Sequence, residues 1–296
     1  MSAKSEIILI RSADDARLGI SVFDRHGHKS RIVVICFPAM GVNASYYAPF
    51  AEALAEQGIS VVTADLRGHG LSTLRADWKT DFGYREIVSY DFPAIIDAVH
   101  EKFQDRDIFL LGHSLGGQLS MLYTGTKPES VRGLILIAAS SPYFRGWPFP
   151  KNIGLLVYEQ FLYGVARLVG HLPGQSLGFG GREARTLMRD WSRQGLTGKY
   201  RPLGDDRDFE ELMSKLTLPV LSISFSDDTY GPEKSVLHLL NKMSRVDISH
   251  SLLTPADLGV EKVGHFGWVK FPGKIVPRIA GWFAEMYNNK IKAEAP

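Results

Sequence analysis

Ser114 is the residue whose surroundings most clearly indicate chemistry, because it stands at the centre of the segment Gly112-His113-Ser114-Leu115-Gly116. An apolar run at Asp107–Leu111 precedes it and predicts a buried strand, and the periodicity of Gly117–Thr126 predicts a helix. Glycines two residues before and after the serine remove the Cβ atoms that would collide at such a sharp turn. The helix N-terminus would place unpaired N–H groups where an oxyanion develops during acyl transfer. The pattern therefore predicts a serine nucleophile.

The chain resembles the α/β-hydrolase superfamily along nearly its whole length, and in particular its lidded esterase or lysophospholipase-like serine hydrolases. The resemblance implies a catalytic triad in the chain order serine, acid, histidine. In this sequence the order is Ser114, Asp228 and His265. Asp228 stands four residues before Pro232, a spacing that family members often show, and this favours it over Asp227. Asp227 stays open as the alternative acid, with a turn or N-cap role otherwise.

His265 lies in the segment Val263–Trp268, after the last predicted strand (Val246–Leu252) and before a final predicted helix. This position favours a catalytic role over that of a surface-loop histidine. An imidazole titrates near neutral pH, so it can take the proton of the serine and then deliver it to the leaving group. A carboxylate beside it would fix its tautomer and stabilise the imidazolium.

The segment Pro38-Ala39-Met40-Gly41-Val42 follows another predicted strand, where many members of the superfamily carry His-Gly. It is similar to the same segment in a poorly characterised branch of predicted α/β-hydrolases. By spacing, the resemblance implies that the backbone N–H groups of Met40 and Leu115 form the oxyanion hole. The N–H group of Ala39 stays open as an alternative first donor.

A second shared segment, Asp65-Leu66-Arg67-Gly68-His69-Gly70, is similar to the Asp-x-Arg-Gly-x-Gly pattern that the superfamily shows after its fourth strand. We expect Asp65 and Arg67 to fix the loop by hydrogen bonds and charge pairing, and His69 to be a turn residue. His113, next to the nucleophile, is expected to point away from it and to serve in packing or hydrogen bonding.

Alternation of strand and helix patterns from the third strand onwards predicts a mostly parallel sheet with right-handed crossovers. Taken with this pattern, the resemblance implies an α/β-hydrolase fold, with eight strands flanked by helices and an inserted helical lid. The predicted strands are Glu6–Ile10, Leu18–Asp24, Arg31–Phe37, Ile59–Ala64, Asp107–Leu111, Gly133–Ala138, Pro219–Phe225 and Val246–Leu252. The predicted helices are Ser45–Gln57, Tyr84–Lys102, Gly117–Thr126, Pro232–Met243 and Lys274–Asn288.

The alternation stops between Ser141 and Met213, in a segment rich in aromatic residues and without a convincing strand. Insertions at this place in related enzymes form helical lids, so residues 142–213 are predicted to be a lid. Residues 1–141 and 214–296 then form the hydrolase core. Ile153–Val169 and Arg182–Gln194 are its expected helices. The aromatic side chains serve either to pack the lid on the core or to bind an apolar part of the substrate.

Charge and composition argue against several other classes of protein. A net charge of +2 over 296 residues gives no basic field for nucleic acid or an anionic membrane. The single cysteine, Cys36, lies in an apolar run and predicts a buried thiol rather than a disulfide. No apolar run reaches the roughly 18 residues of a membrane span, and no signal-peptide core is apparent, which together predict a cytoplasmic protein.

No cofactor or metal ion is expected. His26 and His28 form a His-x-His pair in a predicted hairpin turn, but no third ligand is evident, which favours a solvated turn. The glycine cluster at Leu177–Gly181 follows no predicted strand, which argues against a dinucleotide or phosphate site.

Together these features predict a serine hydrolase that cleaves a small-molecule carboxylic ester, or a related acyl compound with an apolar moiety, through an acyl-enzyme. An acyltransferase would use the same residues and differ only in the acceptor that deacylates the enzyme. A ligand-binding receptor on the same fold is the alternative from another class, although it would not need all three triad residues. The sequence leaves open whether the bond is an ester, thioester, lactone or amide, and which oligomer forms.

Overall fold

A computed structural model describes residues 5–24 and 31–294 of the chain. An eight-stranded sheet runs through it in the order β1-β2-β4-β3-β5-β6-β9-β10. Strand β2 is antiparallel to both of its neighbours, and all other neighbours in the sheet are parallel. The strands of this sheet are β1 (Glu6–Arg11), β2 (Arg17–Phe23), β3 (Ile32–Phe37), β4 (Ser60–Ala64), β5 (Asp107–His113), β6 (Gly133–Ile137), β9 (Val220–Phe225) and β10 (Ile248–Leu253). The expected eight-stranded, mostly parallel sheet is therefore confirmed.

Helices cover both faces of the sheet, as the residues of β3 illustrate. Val33 and Ile35 pack into one hydrophobic cluster, while Val34 and Cys36 pack into the cluster on the other face. A central parallel strand buried on both sides has no polar face, which explains its continuous apolar run. The α-helices are α1 (Ala48–Glu56), α2 (Tyr84–Glu86), α3 (Phe92–Lys102), α4 (Leu115–Thr126), α5 (Lys151–Val169), α6 (Gly174–Leu177), α7 (Arg185–Thr197), α8 (Phe209–Ser214), α9 (Glu233–Leu240), α10 (Pro255–Leu258) and α11 (Pro272–Glu294).

Two of the predicted helices are less regular than expected. The first begins as a 3₁₀ turn at Ala44–Tyr47 before α1. The second is divided by a π-helical turn at Ile87–Asp91 between α2 and α3. Pro93, in the first turn of α3, has no amide hydrogen to donate into the preceding turn, so a regular α-helix cannot continue through this point.

Residues 142–213, called the cap segment below, connect β6 to β9 and carry α5, α6, α7 and α8. The expectation that this segment contains no strand is wrong. Strands β7 (His171–Pro173) and β8 (Arg182–Ala184) pair as a short antiparallel ribbon, so α7 begins at Arg185 rather than at Arg182. Strands of three residues are too short to show the period-two alternation that identifies a strand in a sequence.

In the described part of the chain, no helix has both the length and the apolar character needed to cross a membrane. Among the same residues, no group of three histidine, cysteine or acidic side chains is arranged to hold a metal ion. His26 and His28 lie outside the described residues. Cys36 is buried in β3, as its apolar surroundings predict, and burial raises the pKa of its thiol.

Candidate active site

Ser114 lies at the sharp turn between β5 and α4, with φ 52° and ψ −117°, a backbone conformation that non-glycine residues rarely adopt. The flanking glycines make this turn possible. A Cβ atom added to Gly112 would lie 2.3 Å from Gly117 Cα, and one added to Gly116 would lie 2.3 Å from Phe37 O. The turn therefore has the geometry of a nucleophile elbow, in which the strain holds the hydroxyl at the end of the strand.

Asp228 and His265 are in contact, although 37 positions separate them in the sequence. His265 Nδ1 lies 2.7 Å from Asp228 Oδ2, and both side chains are buried. The other carboxylate oxygen of Asp228 accepts hydrogen bonds from the amides of Tyr230 (2.8 Å) and Gly231 (3.0 Å). These bonds fix the carboxylate, so that it can hold the imidazole in one orientation and tautomer.

Asp227, the alternative acid, points elsewhere. Its Oδ2 accepts hydrogen bonds from the amides of Val263 (2.8 Å) and Gly264 (3.0 Å), which begin the loop that carries His265. Asp227 thus fixes a loop 36 positions away rather than the turn in which it stands. Of the two adjacent aspartates, Asp228 therefore binds the imidazole, and Asp227 binds the backbone of the two residues that precede it.

Ser114 and His265 line the same cavity, which has a volume of about 320 Å³. Within the described residues, neither the Ser114 hydroxyl nor His265 Nε2 has a hydrogen-bond partner, so both are available to a ligand. Side chains of the cap segment form the opposite wall, and most of them are aromatic. They are Pro142, Trp147, Leu155, Tyr158, Glu159, Phe179 and Trp191.

Three backbone amides near this cavity are candidates for binding an oxyanion. The amide of Ala39 donates to the Tyr47 hydroxyl at 3.0 Å, so it is already engaged. The amides of Met40 and Leu115 donate to no other group in residues 5–24 and 31–294, and both residues line the cavity. Leu115 begins α4, where the first amides of a helix have no partner within it. This geometry favours Met40 over Ala39 as the first donor.

His113 does not line the cavity and serves in hydrogen bonding, as expected, but the sequence did not indicate its partners. Its Nδ1 lies 2.6 Å from the Tyr47 hydroxyl, and its Nε2 lies 3.0 Å from the backbone carbonyl oxygen of His265. Burial, together with the neighbouring His265, lowers the pKa of His113 well below its ordinary value, so the ring is neutral. Tyr47 could not be identified from the sequence, because nothing in its local pattern indicates a contact 66 positions away.

The loop after β4 is held as expected, with one addition. Asp65 accepts hydrogen bonds from two backbone amides, and the buried guanidinium of Arg67 pairs with both Asp14 and Asp91. His69 stands in the predicted turn, and its Nε2 also lies 3.0 Å from Glu183 Oε2 in β8. Burial alone would lower the pKa of His69, but the Glu183 carboxylate raises it above the ordinary value.

The backbone of the cap segment approaches the core closely at Gly41, in the segment that contains Met40. Gly41 has φ +73°, and an added Cβ atom would lie 2.3 Å from both Gly180 C and Gly181 N. The glycine cluster of the cap segment therefore packs backbone to backbone against the core, beside the contact between His69 and Glu183. Gly180 and Gly181 make this close approach possible because they have no side chains.

Glu159 is the other residue that sequence reasoning missed, since it stands unmarked within a predicted helix. It lines the cavity wall from α5, it is fully buried, and neither carboxyl oxygen has a hydrogen-bond partner among the described residues. Its Oε2 lies against Gly195 of α7, where a Cβ atom would come within 2.0 Å. Burial raises the pKa of this carboxyl to about 9, so it is protonated at neutral pH.

Comparison with known proteins identifies relatives of this chain. Residues 28–178 match the family model described as serine aminopeptidase, S33. Monoglyceride lipase of Mus musculus is 31% identical over 219 residues, which cover 69% of this chain and 67% of the lipase. Protein phosphatase methylesterase 1 of Candida albicans is 27% identical over 106 residues, or 36% of this chain. That match spans only 28% of the length of the methylesterase.

Solved structures show the same architecture. A hydrolase from Pseudomonas aeruginosa superimposes with a TM-score of 0.64 over 94% of this chain and 98% of its own, at 15% sequence identity. Such low identity is evidence for the fold alone. It agrees with the sheet order and the strand-to-helix turn at Ser114 described above.

Proposed function

The chain belongs to the serine aminopeptidase S33 family of α/β-hydrolases, and on that premise we propose that it hydrolyses small carboxylic esters through an acyl-enzyme on Ser114. At the level of the family it is a serine hydrolase of the esterase and lipase type. The observation that carries the proposal is the position of His265. Its Nδ1 is bonded to Asp228, and the ring lines the cavity that Ser114 also lines.

In the proposed mechanism, His265 Nε2 takes the proton of the Ser114 hydroxyl as the oxygen attacks the acyl carbon. The N–H groups of Met40 and Leu115 bind the oxyanion of the tetrahedral intermediate, and Asp228 stabilises the imidazolium that forms. His265 then donates its proton to the leaving alcohol, whose departure leaves the acyl-enzyme. Water, deprotonated by His265, releases the acid and restores the serine.

We further propose that the cap segment is a lid that binds the apolar moiety of the substrate. The aromatic wall opposite Ser114 supports this, because large flat side chains bury hydrocarbon efficiently. The names of the two relatives, a monoglyceride lipase and a methylesterase, both denote enzymes that act on esters. The proposed substrate is therefore an ester whose acyl or alcohol part is predominantly apolar.

A fluorophosphonate probe tests the assignment, because it phosphonylates only a serine that a working base activates. We expect rapid labelling of the wild type and none of Ser114→Ala, whose turnover of a p-nitrophenyl ester falls by about 10⁴-fold or more. The matched control is Ser120→Ala, which removes a buried hydroxyl from the same helix, where it bonds the Gly116 carbonyl. An unlabelled wild type would favour a ligand-binding receptor, and transfer of the acyl group to an added alcohol in preference to water would favour an acyltransferase.

A further inference from the structure

A chain of four groups connects the two sides of the proposed site. The Ala39 amide lies 3.0 Å from the Tyr47 hydroxyl, which lies 2.6 Å from His113 Nδ1. His113 Nε2 then lies 3.0 Å from the carbonyl oxygen of His265. This hydrogen-bond chain therefore runs from Ala39, beside Met40, through His113 to the backbone of His265.

The two ends of this chain fix the direction of every hydrogen bond in it. An amide can only donate, so the Tyr47 oxygen accepts from Ala39 and donates its own proton to His113 Nδ1. A carbonyl can only accept, so the proton of the neutral His113 ring must be on Nε2, where it donates to His265. Each group thus has one arrangement that satisfies both neighbours.

The surroundings of the chain exclude water and restrict movement. Tyr47 and His113 are both 0% exposed, and the indole ring of Trp268 packs against each of them, at 5.9 Å and 5.5 Å between ring centroids. No solvent reaches these bonds, so a lost partner would leave a buried polar group unpaired. Neither residue lines the cavity, so neither touches a substrate there.

We propose that Tyr47 and His113 are positioning residues of this hydrolase, which hold the oxyanion-binding segment and the backbone of His265 at a fixed separation. This inference rests on the proposed function of Ser114, Asp228 and His265. Tyr47 also withdraws the Ala39 amide from the cavity, which leaves the Met40 amide as the donor. The pair acts on the chemical step through geometry alone.

Removal of the Tyr47 hydroxyl frees both of its partners. The lone pair of His113 Nδ1 is then buried without a donor, and the ring keeps only its bond to the His265 carbonyl, since its proton stays on Nε2. The ring can then shift in the core, and the His265 backbone and the base would shift with it. Displacements well under 1 Å at a reacting group lower the rate of the chemical step, while the binding of substrate is unchanged.

Tyr46 provides a matched control, because it is the neighbouring tyrosine on the same 3₁₀ turn and its hydroxyl binds the loop of His265 directly. That hydroxyl donates to the carbonyl of Phe266 at 2.8 Å, but the side chain is half-buried and water can replace the bond. Tyr46→Phe and Tyr47→Phe thus each remove one bonded hydroxyl, and only the second breaks the chain.

The experiment measures kcat and KM of Tyr46→Phe, Tyr47→Phe, His113→Leu and the double variant Tyr47→Phe/His113→Leu. We expect kcat to fall about 10- to 100-fold for each variant that breaks the chain, with KM within about threefold of the wild type. Tyr46→Phe should stay within about threefold in both constants. The double variant should be no slower than His113→Leu, because both changes break one chain. His113→Gln, which keeps a donor for the His265 carbonyl, should recover part of the loss.

Nitrogen-15 NMR of labelled histidine gives a second readout. It reports the protonation and hydrogen bonding of the His113 ring nitrogens, which would not respond to Tyr47 if the two residues only packed independently in the core. The proposal expects His113 as the Nε2–H tautomer without titration between about pH 5 and pH 9, and in Tyr47→Phe a shift of the Nδ1 resonance that reports the lost hydrogen bond. Additive kinetic effects of folded variants, or an Nδ1–H tautomer in the wild type, would overturn it. Ser114→Ala separates this result from the proposed function. If that variant is inactive while Tyr47→Phe is fully active, only the positioning role fails, whereas an active Ser114→Ala would remove the basis of both.

Discussion

The two walls of the cavity differ in how their polar groups are bonded. On the sheet side, Asp228 uses both carboxylate oxygens, and the backbone of His265 is held through His113. On the cap side, the Glu159 carboxyl is fully buried without a single hydrogen bond among the described residues. The sheet wall is therefore preorganised for chemistry, whereas the cap wall carries an unsatisfied group that disfavours its closed packing.

The largest expected effect tests the sheet wall through its two adjacent aspartates. Asp228→Asn would place an amide against His265 Nδ1 and favour the wrong tautomer, so kcat on a p-nitrophenyl ester should fall by about 10⁴-fold. Asp227→Asn keeps an acceptor for the loop amides, so its kcat should fall no more than about 10-fold. A larger loss for Asp227→Asn, with both variants folded by circular dichroism, would reverse the assignment of the acid.

The next effect tests the cap wall through the stability of the folded state. The folded chain keeps the Glu159 proton up to about pH 9, while an unfolded chain loses it near pH 4.5. The folded state thus binds more protons between these values, so its stability falls as the pH rises through this window. Glu159→Gln removes this titration. The difference in free energy of unfolding between this variant and the wild type should therefore grow in favour of the variant, by up to about 1.4 kcal/mol for each pH unit within this window.

Denaturant unfolding at several pH values measures this difference. Glu101→Gln is the matched control, because Glu101 undergoes the same chemical change on the exposed face of α3 and should show no such trend. If Glu159→Gln is equally or less stable than the wild type at pH 8, and the difference is independent of pH, then the carboxyl has a partner in solution and the contrast between the walls is wrong.

The smallest effect sharpens the role of the cap wall in substrate selection. Each methylene group buried against the aromatic side chains should raise kcat/KM by about fourfold until the acyl chain fills the cavity. Trp191→Ala should flatten this dependence in a series of p-nitrophenyl esters from acetyl to decanoyl. A strict preference for acetyl in the wild type would contradict an apolar substrate.

The sequence predicted the sheet well because strands of five to seven residues carry a local signal of their own. All eight strands of the sheet were placed within two residues of the observed bounds, including the short β4. The elbow at Ser114 was equally clear, since its glycines are required by atoms only a few residues away in the chain or in the adjacent strand. These features depend on local backbone geometry, which a sequence pattern records.

Features that depend on distant contacts were not predictable in the same way. The bond between His113 and His265 joins positions 152 apart, and a tyrosine or histidine gives no indication of such a partner. The same applies to Glu159, which is one of three charged residues in its helix and is buried in space that Gly195 of a neighbouring helix leaves free. Asp227 and Asp228 differ only in the direction of their side chains, which alternates between neighbours and is decided by the folded loop.

The close approach of Gly41 to Gly180 and Gly181 has a consequence for protein engineering. At this contact both partners are main chain, with no side chain that could adjust, so a cap segment transplanted from another hydrolase would fit only if it also brought glycines to these two positions. Chimaeras that exchange residues 142–213 should therefore first be required to carry glycines at positions 180 and 181. Substrate specificity can then be chosen among the donor segments that meet this requirement.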